Sequence, residues 1–124
     1  MLIRDVMKQP YVIEKDLSLR EAAKIMSSKD IGCLLFVSDR TIKGILTERD
    51  LMKNFDKNSK VSNVMSTKII SIGPDETLDK ALELMRNKKI KRLPVIENGK
   101  LVGIITLTDL AQHFEDVEED FFFE

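Results

Sequence analysis

The residues whose spacing carries the most chemistry are Gly44-Ile45-Leu46-Thr47-Glu48-Arg49-Asp50 and Gly103-Ile104-Ile105-Thr106-Leu107-Thr108-Asp109. Both strings read Gly, two apolar residues, Thr, two variable residues, Asp. A glycine inside a strand leaves room for another group to approach the backbone. A Thr where strand passes to helix, with an Asp one turn on, sets a hydroxyl and a carboxylate beside open helix amides. Such amides suit phosphate, and a carboxylate can accept both hydroxyls of a ribose. The plainer account is that Thr47 and Asp50 only cap a helix, each contributing about 0.5–1 kcal/mol. Capping alone asks for no Gly three residues before the Thr, so recurrence of the whole spacing favours a ligand role.

The strings recur because the chain is duplicated. Displaced by 59 positions, Asp16–Leu51 falls on Asp75–Leu110, with identities that include Leu19/Leu78, Ala22/Ala81, Met26/Met85, Ile31/Ile90, Leu34/Leu93 and Gly44/Gly103. Upstream, Val6-Met7 matches Val64-Met65 at a displacement of 58. Duplication on this scale predicts two structural halves with approximate twofold symmetry.

Each copy must then build the elements that position its Thr and Asp. A short apolar segment leads (Tyr11–Ile13; Ile69–Ile72). A helix follows, started by a capping box of Ser18 with Glu21, and in the second copy by Thr77 without the acid. Leu19, Ala22, Ala23 and Met26, and likewise Leu78, Ala81, Leu82 and Met85, share one helical face. Two strands come next, Cys33–Val37 with Ile42–Leu46, and Leu93–Ile96 with Leu101–Ile105; Asn98-Gly99 favours a tight hairpin. A second helix starts at Glu48 and at Leu107. The order per copy is β-α-β-β-α. Residues 1–56 form the first repeat and 57–114 the second, with 52–63 read as a polar link and 115–124 as an acidic tail ending in Phe121-Phe122-Phe123 and Glu124.

Composition narrows the function. The 124 residues are 43% apolar, enough for one compact module, and with Trp absent the core is aliphatic with six Met as filler. Twenty Lys and Arg against 21 Asp and Glu argue against a protein built to coat nucleic acid. One Cys, Cys33, permits no intrachain disulfide, and one His, His113, leaves too few ligands for a protein-only zinc site, so no metal site is expected. No signal peptide or membrane helix is visible, and the expectation is a cytoplasmic protein. No nucleophile with its base and no Walker loop is found, so the chain is not expected to be an enzyme. Cys33 reads as a buried structural thiol and His113 as a surface residue.

Taken together, Val-Met, the Asp-x-Ser/Thr-Leu helix start, Ile-x-Arg-Leu-Pro-Val-Ile and Gly-x-x-Thr-x-x-Asp resemble the CBS domain, over about residues 1–112. The resemblance implies an α/β fold of two β-α-β-β-α CBS repeats packed through their sheets with pseudo-twofold symmetry, a CBS pair or Bateman module. It implies two clefts that bind AMP, ADP, ATP or S-adenosylmethionine, and pairing of modules into homodimers. Carried over by position, the first cleft takes Gly44, Thr47 and Asp50 with Ile69, Ile70, Ile90, Lys91, Arg92 and Pro94. The second takes Thr106, Thr108 and Asp109 with Pro10, Tyr11, Ile31, Gly32 and Cys33. Lys91 and Arg92 match the family's phosphate-contacting position, where the first repeat has Gly32 and Cys33. The Asp50 cleft is therefore expected to favour a phosphate-bearing nucleotide, and the Asp109 cleft to bind less, to hold a less charged adenosyl ligand, or to stay empty.

The function expected from these residues is regulatory: an adenine nucleotide, with or without magnesium, binds as a ligand and not as a tightly held cofactor, and a separate, unidentified protein is controlled. The alternatives are S-adenosylmethionine binding, nucleic-acid binding through the basic stretch Arg86–Arg92, and a dimerising scaffold without ligand.

Overall fold

In a computed structural model of the chain, residues 1–113 are described; the acidic tail with its Phe121–Phe123 run lies outside the described residues. Among those residues the helices begin where their caps require. In α2 (Leu19–Lys29) the Glu21 amide donates to Ser18 Oγ at 3.1 Å and the Ser18 amide donates to Glu21 Oε1 at 3.0 Å. In α5 (Leu78–Lys88) Thr77 accepts from the Lys80 amide at 3.2 Å, with no reciprocal acid. Both end on a left-handed residue, Asp30 (φ 53°) and Lys89 (φ 56°). Leu19, Ala22 and Met26, and Leu78, Ala81 and Met85, are buried as the periodicity requires, while Ala23 and Leu82 are half-buried.

The hairpins also repeat. Strands β2 (Cys33–Ser38) and β3 (Thr41–Thr47) pair antiparallel, as do β4 (Arg92–Glu97) and β5 (Lys100–Thr106). A bulge falls at the same place in each, between Phe36 and Val37 and between Val95 and Ile96. Asn98 and Gly99 turn with positive φ, as do Asp39 and Arg40, although the first copy has no glycine there. The short helices α3 (Glu48–Lys53) and α6 (Leu107–Gln112) follow directly.

The leading strand is where the copies part. In the first, β1 (Val12–Ile13) runs parallel to β2, with the Leu35 amide donating to the Tyr11 carbonyl at 3.1 Å. The second copy was expected to carry a strand at Ile69–Ile72, but only a single bridge forms, Ile72 to Val95. The residue corresponding to Leu35 is Pro94, which has no N–H to donate, so the first rung of the ladder cannot form.

Two four-residue helices complete the set, α1 (Ile3–Val6) and α4 (Val61–Val64). Residues 52–63 are thus more than a polar link: Val61 is fully buried, as is its counterpart Ile3. These leaders explain how the chain divides. One compact unit is Pro10–Ile69; the other is Met1–Gln9 with the described residues from Ile70 on. Each repeat's core is therefore finished by the leader of the other. In the first-repeat unit the Val61 amide donates to the Leu17 carbonyl at 2.8 Å, and Ser66 and Ile45 exchange backbone hydrogen bonds at 2.9 Å. In the second-repeat unit the Ile3 amide donates to the Glu76 carbonyl at 2.8 Å, and Lys8 and Ile104 exchange bonds at 2.9 Å. The aspartate that opens each repeat is tied to the leader too: Asp16 accepts from the Ser62 hydroxyl and, at 2.9 Å, from its amide, whereas Asp75 pairs with Arg4 at 3.2 Å.

Packing is tight at the two strand glycines. A Cβ on Gly103 would stand 2.6 Å from Met7 Sδ, and one on Gly44 would overlap the Met65 side chain. The methionine of each Val-Met pair lies over the glycine of the other motif. Replacing Gly44 by Ala is expected to destabilise by about 1–3 kcal/mol through overpacking. Met65→Ala makes room, so in urea melts of the double-mutant cycle the two penalties should fall short of additive by at least about 0.5 kcal/mol; additive penalties would refute the contact. Hydrogen bonds from the Ser62 hydroxyl, then from its amide, hold the Asp16 carboxyl below the ordinary aspartate value. A depressed folded-state value stabilises above the unfolded-state value and ceases to do so as pH falls through the folded one. The melting-temperature gap between wild type and Asp16→Ala should therefore be full near neutral pH and close under strong acid.

Candidate functional site

The Thr–Asp sets form at the hairpin-to-helix junctions. Thr47 ends β3 and caps α3; its amide and hydroxyl donate to Asp50 Oδ2 at 2.8 and 3.1 Å, and the Asp50 amide returns to Thr47 Oγ1 at 3.4 Å. Thr106 and Asp109 repeat the arrangement at 2.9, 2.9 and 3.2 Å. The first helical amide is used as well: Glu48 donates to the Gly32 carbonyl at 3.1 Å and Leu107 to the Lys91 carbonyl at 2.8 Å. The open amides expected for phosphate at these helix ends are thus largely taken from within the chain. The room expected over Gly44 and Gly103 is likewise filled, by Met65 and Met7.

What remains chemically available is the second carboxylate oxygen, and here the copies differ. Asp50 is half-buried, and among the described residues its Oδ1 takes no hydrogen bond or ion pair. Asp109 has only 4% of its side chain exposed, and its Oδ1 lies 2.8 Å from Lys8 Nζ. Lys8 was not singled out from the sequence. The signal was present: Lys8 follows Val6-Met7 where Ser66 follows Val64-Met65, so alignment of the leaders exposes the difference.

The remaining expected residues are distributed between the units. Gly44, Thr47, Asp50 and Ile69 lie in the first-repeat unit, with Pro10, Tyr11, Ile31, Gly32 and Cys33. Ile70, Ile90, Lys91, Arg92 and Pro94 lie in the second-repeat unit, with Thr106, Thr108 and Asp109. Within its own sheet Cys33 stands opposite Thr47, and Arg92 opposite Thr106. Lys91, Thr108 and Tyr11 are exposed; Arg92 and Cys33 are half-buried, so Cys33 is less enclosed than expected. Pro94 is buried. His113 caps α6 and is half-buried, where a surface position was expected. Among the described residues no group of three or more His, Cys, Asp or Glu could hold a metal ion, and no helix is long and apolar enough to cross a membrane.

Two copies of one helix–hairpin–helix unit, each closing on a Thr–Asp cap and sharing leaders crosswise, define a tandem-repeat α/β module. The CBS domain matches residues 3–57 and again 61–116, and the chain belongs to the CBS-domain family as a tandem pair. It is 35% identical over 115 residues to the CBS domain-containing protein YhcV of Bacillus subtilis, covering 88% of this chain and 82% of that one. The fold superposes on the CBS domain pair of protein MJ0100, a complex with 5′-methylthioadenosine and S-adenosyl-L-methionine, with TM-score 0.84 and 29% identity over 93% of this chain and 96% of that one. An inosine-5′-monophosphate dehydrogenase of Staphylococcus haemolyticus is 37% identical over 114 residues, 89% of this chain but 23% of the enzyme.

Because each Thr hydroxyl satisfies a helix amide, Thr47→Ala and Thr106→Ala should each lower unfolding free energy by about 1 kcal/mol in urea titrations. Unchanged midpoints would show that the caps contribute nothing.

Proposed function

We infer that the chain is a regulatory sensor of adenosine-bearing ligands, with Asp50 as the acceptor for the ribose hydroxyls. The observation that carries this reading is the Asp50 carboxylate: one oxygen is fixed by the amide and hydroxyl of Thr47, and the other is left outside the cap. A carboxylate held in one orientation with an open acceptor edge suits a vicinal diol, and the orientation is already fixed before the ligand arrives. Support comes from the MJ0100 pair, whose two ligands both carry adenosine.

Adenine nucleotides are the proposed ligands, because Lys91 and Arg92 match the phosphate-contacting position of the family. Gly44, Ile69, Ile70, Ile90 and Pro94 stay in the proposed set around Asp50, and Pro10, Tyr11, Ile31, Gly32, Cys33, Thr106 and Thr108 in that around Asp109. The chain is proposed to regulate and not to catalyse, acting as a homodimer on a separate protein. Ligand can drive such control only if it binds two states of the module unequally.

A melting screen with AMP, ADP, ATP, S-adenosylmethionine and 5′-methylthioadenosine tests the reading. At 100 times its dissociation constant a ligand should stabilise by about 2.7 kcal/mol. Asp50→Asn should lower the shift for every compound. Arg92→Ala should weaken AMP about tenfold or more by removing a charge-assisted bond, and leave 5′-methylthioadenosine, which has no phosphate, almost unchanged. Absence of any shift with the wild-type chain would overturn the sensor reading.

A further inference from the structure

The two diol-acceptor carboxylates are chemically unequal, and the inequality lies in one side chain. Asp109 Oδ2 accepts from the Thr106 amide and hydroxyl, both at 2.9 Å, and Oδ1 faces Lys8 Nζ at 2.8 Å. Both oxygens are engaged, and the carboxylate is almost fully enclosed, while the Lys8 side chain is 60% exposed. The lysine is held from behind: its backbone donates to and accepts from Ile104 at 2.9 Å in each direction, two residues from the Thr106 cap. Its ammonium is thus delivered to the carboxylate by the same leader segment that places Met7 over Gly103. In the first-repeat unit the identical backbone exchange, with Ile45, is made by Ser66, and no cation reaches Asp50 among the described residues.

We propose that Lys8 is a built-in competitor for Asp109, closing the second repeat's acceptor so that each chain takes one adenosine-bearing ligand, at Asp50. The proposal rests on the sensor reading above and adds which of the two repeats is open. A neutral diol must displace an ammonium from a buried carboxylate to bind at Asp109, and hydrogen bonds from hydroxyls do not replace a charge-assisted contact of that kind. At Asp50 no ion pair among the described residues has to be broken.

The test is ligand stoichiometry by equilibrium dialysis with AMP and with 5′-methylthioadenosine on the full chain. Wild type should bind one equivalent, lost in Asp50→Asn and kept in Asp109→Asn. Lys8→Ser, which installs the residue found at position 66 and leaves the backbone pairing to Ile104 in place, should bind two, the second lost again on adding Asp109→Asn. Lys8→Arg, which keeps the cation, should bind one. The reciprocal Ser66→Lys should weaken binding at Asp50 at least tenfold; this arm decides the matter even if Lys8→Ser fails to fold, and unchanged affinity in Ser66→Lys overturns the proposal. Two equivalents on wild type, or one on a folded Lys8→Ser chain, also overturn it while leaving the sensor reading intact. No binding to wild type or to Lys8→Ser overturns both.

Discussion

A methionine lying over a strand glycine is the contact on which the architecture turns. Met65 fills the space that Gly44 leaves in β3, and Met7 does the same for Gly103 in β5. Neither contact forms if the glycine carries a side chain, and neither is made within one sequence copy. Each copy thereby gives its opening residues to complete the other's core, with Ile3 and Val61 as fully buried anchors. The duplication visible in the sequence and the division visible in space are consequently out of register, and the chain passes between the units after Gln9 and after Ile69. The backbone exchanges of Lys8 with Ile104 and Ser66 with Ile45 fix the leaders beside the strands that end in Thr106 and Thr47. Packing and site geometry therefore share one cause.

The Thr–Asp pair leaves one acceptor to spare because a carboxylate has two oxygens. One closes the helix start, which any capping residue could do. The other stands outside the cap: Lys8 of the leader faces it at Asp109, while at Asp50 no hydrogen bond or ion pair reaches it among the described residues. The two carboxylates are thus unequal: Asp109 is buried and paired with Lys8, Asp50 half-buried. The copies differ likewise where Asp16 bonds Ser62 but Asp75 pairs with Arg4, an exchange of neutral for ionic chemistry at corresponding positions.

Much of this was legible in the residues. The capping box at Ser18, the buried stripes of α2 and α5, the hairpin turn at Asn98-Gly99 and the fold class all follow from local rules that operate within a few positions. The site was legible in part. Thr47, Asp50, Thr106 and Asp109 stand at the junctions foreseen, yet the glycines of the same motif serve packing, because spacing alone does not say which group enters the gap. The leader helices escaped notice since four residues are too few to show a period. The lost strand at Ile69–Ile72 could have been anticipated from Pro94, whose missing donor lies opposite it. Lys8 escaped because it lies outside the motif and acts across more than a hundred positions of sequence.

The crosswise leaders also order the making of the protein. Synthesis runs from the N-terminus, and a domain generally folds once its chain has emerged. Pro10–Ile69 is continuous and can close as soon as it leaves the ribosome. Residues 1–9, made ahead of that unit, have their docking strand only after Gly103 and Ile104 have been added. During that interval Ile3 and Met7 lack the partners that cover them in the finished module. The segment is thus made before the first-repeat unit and seated after it.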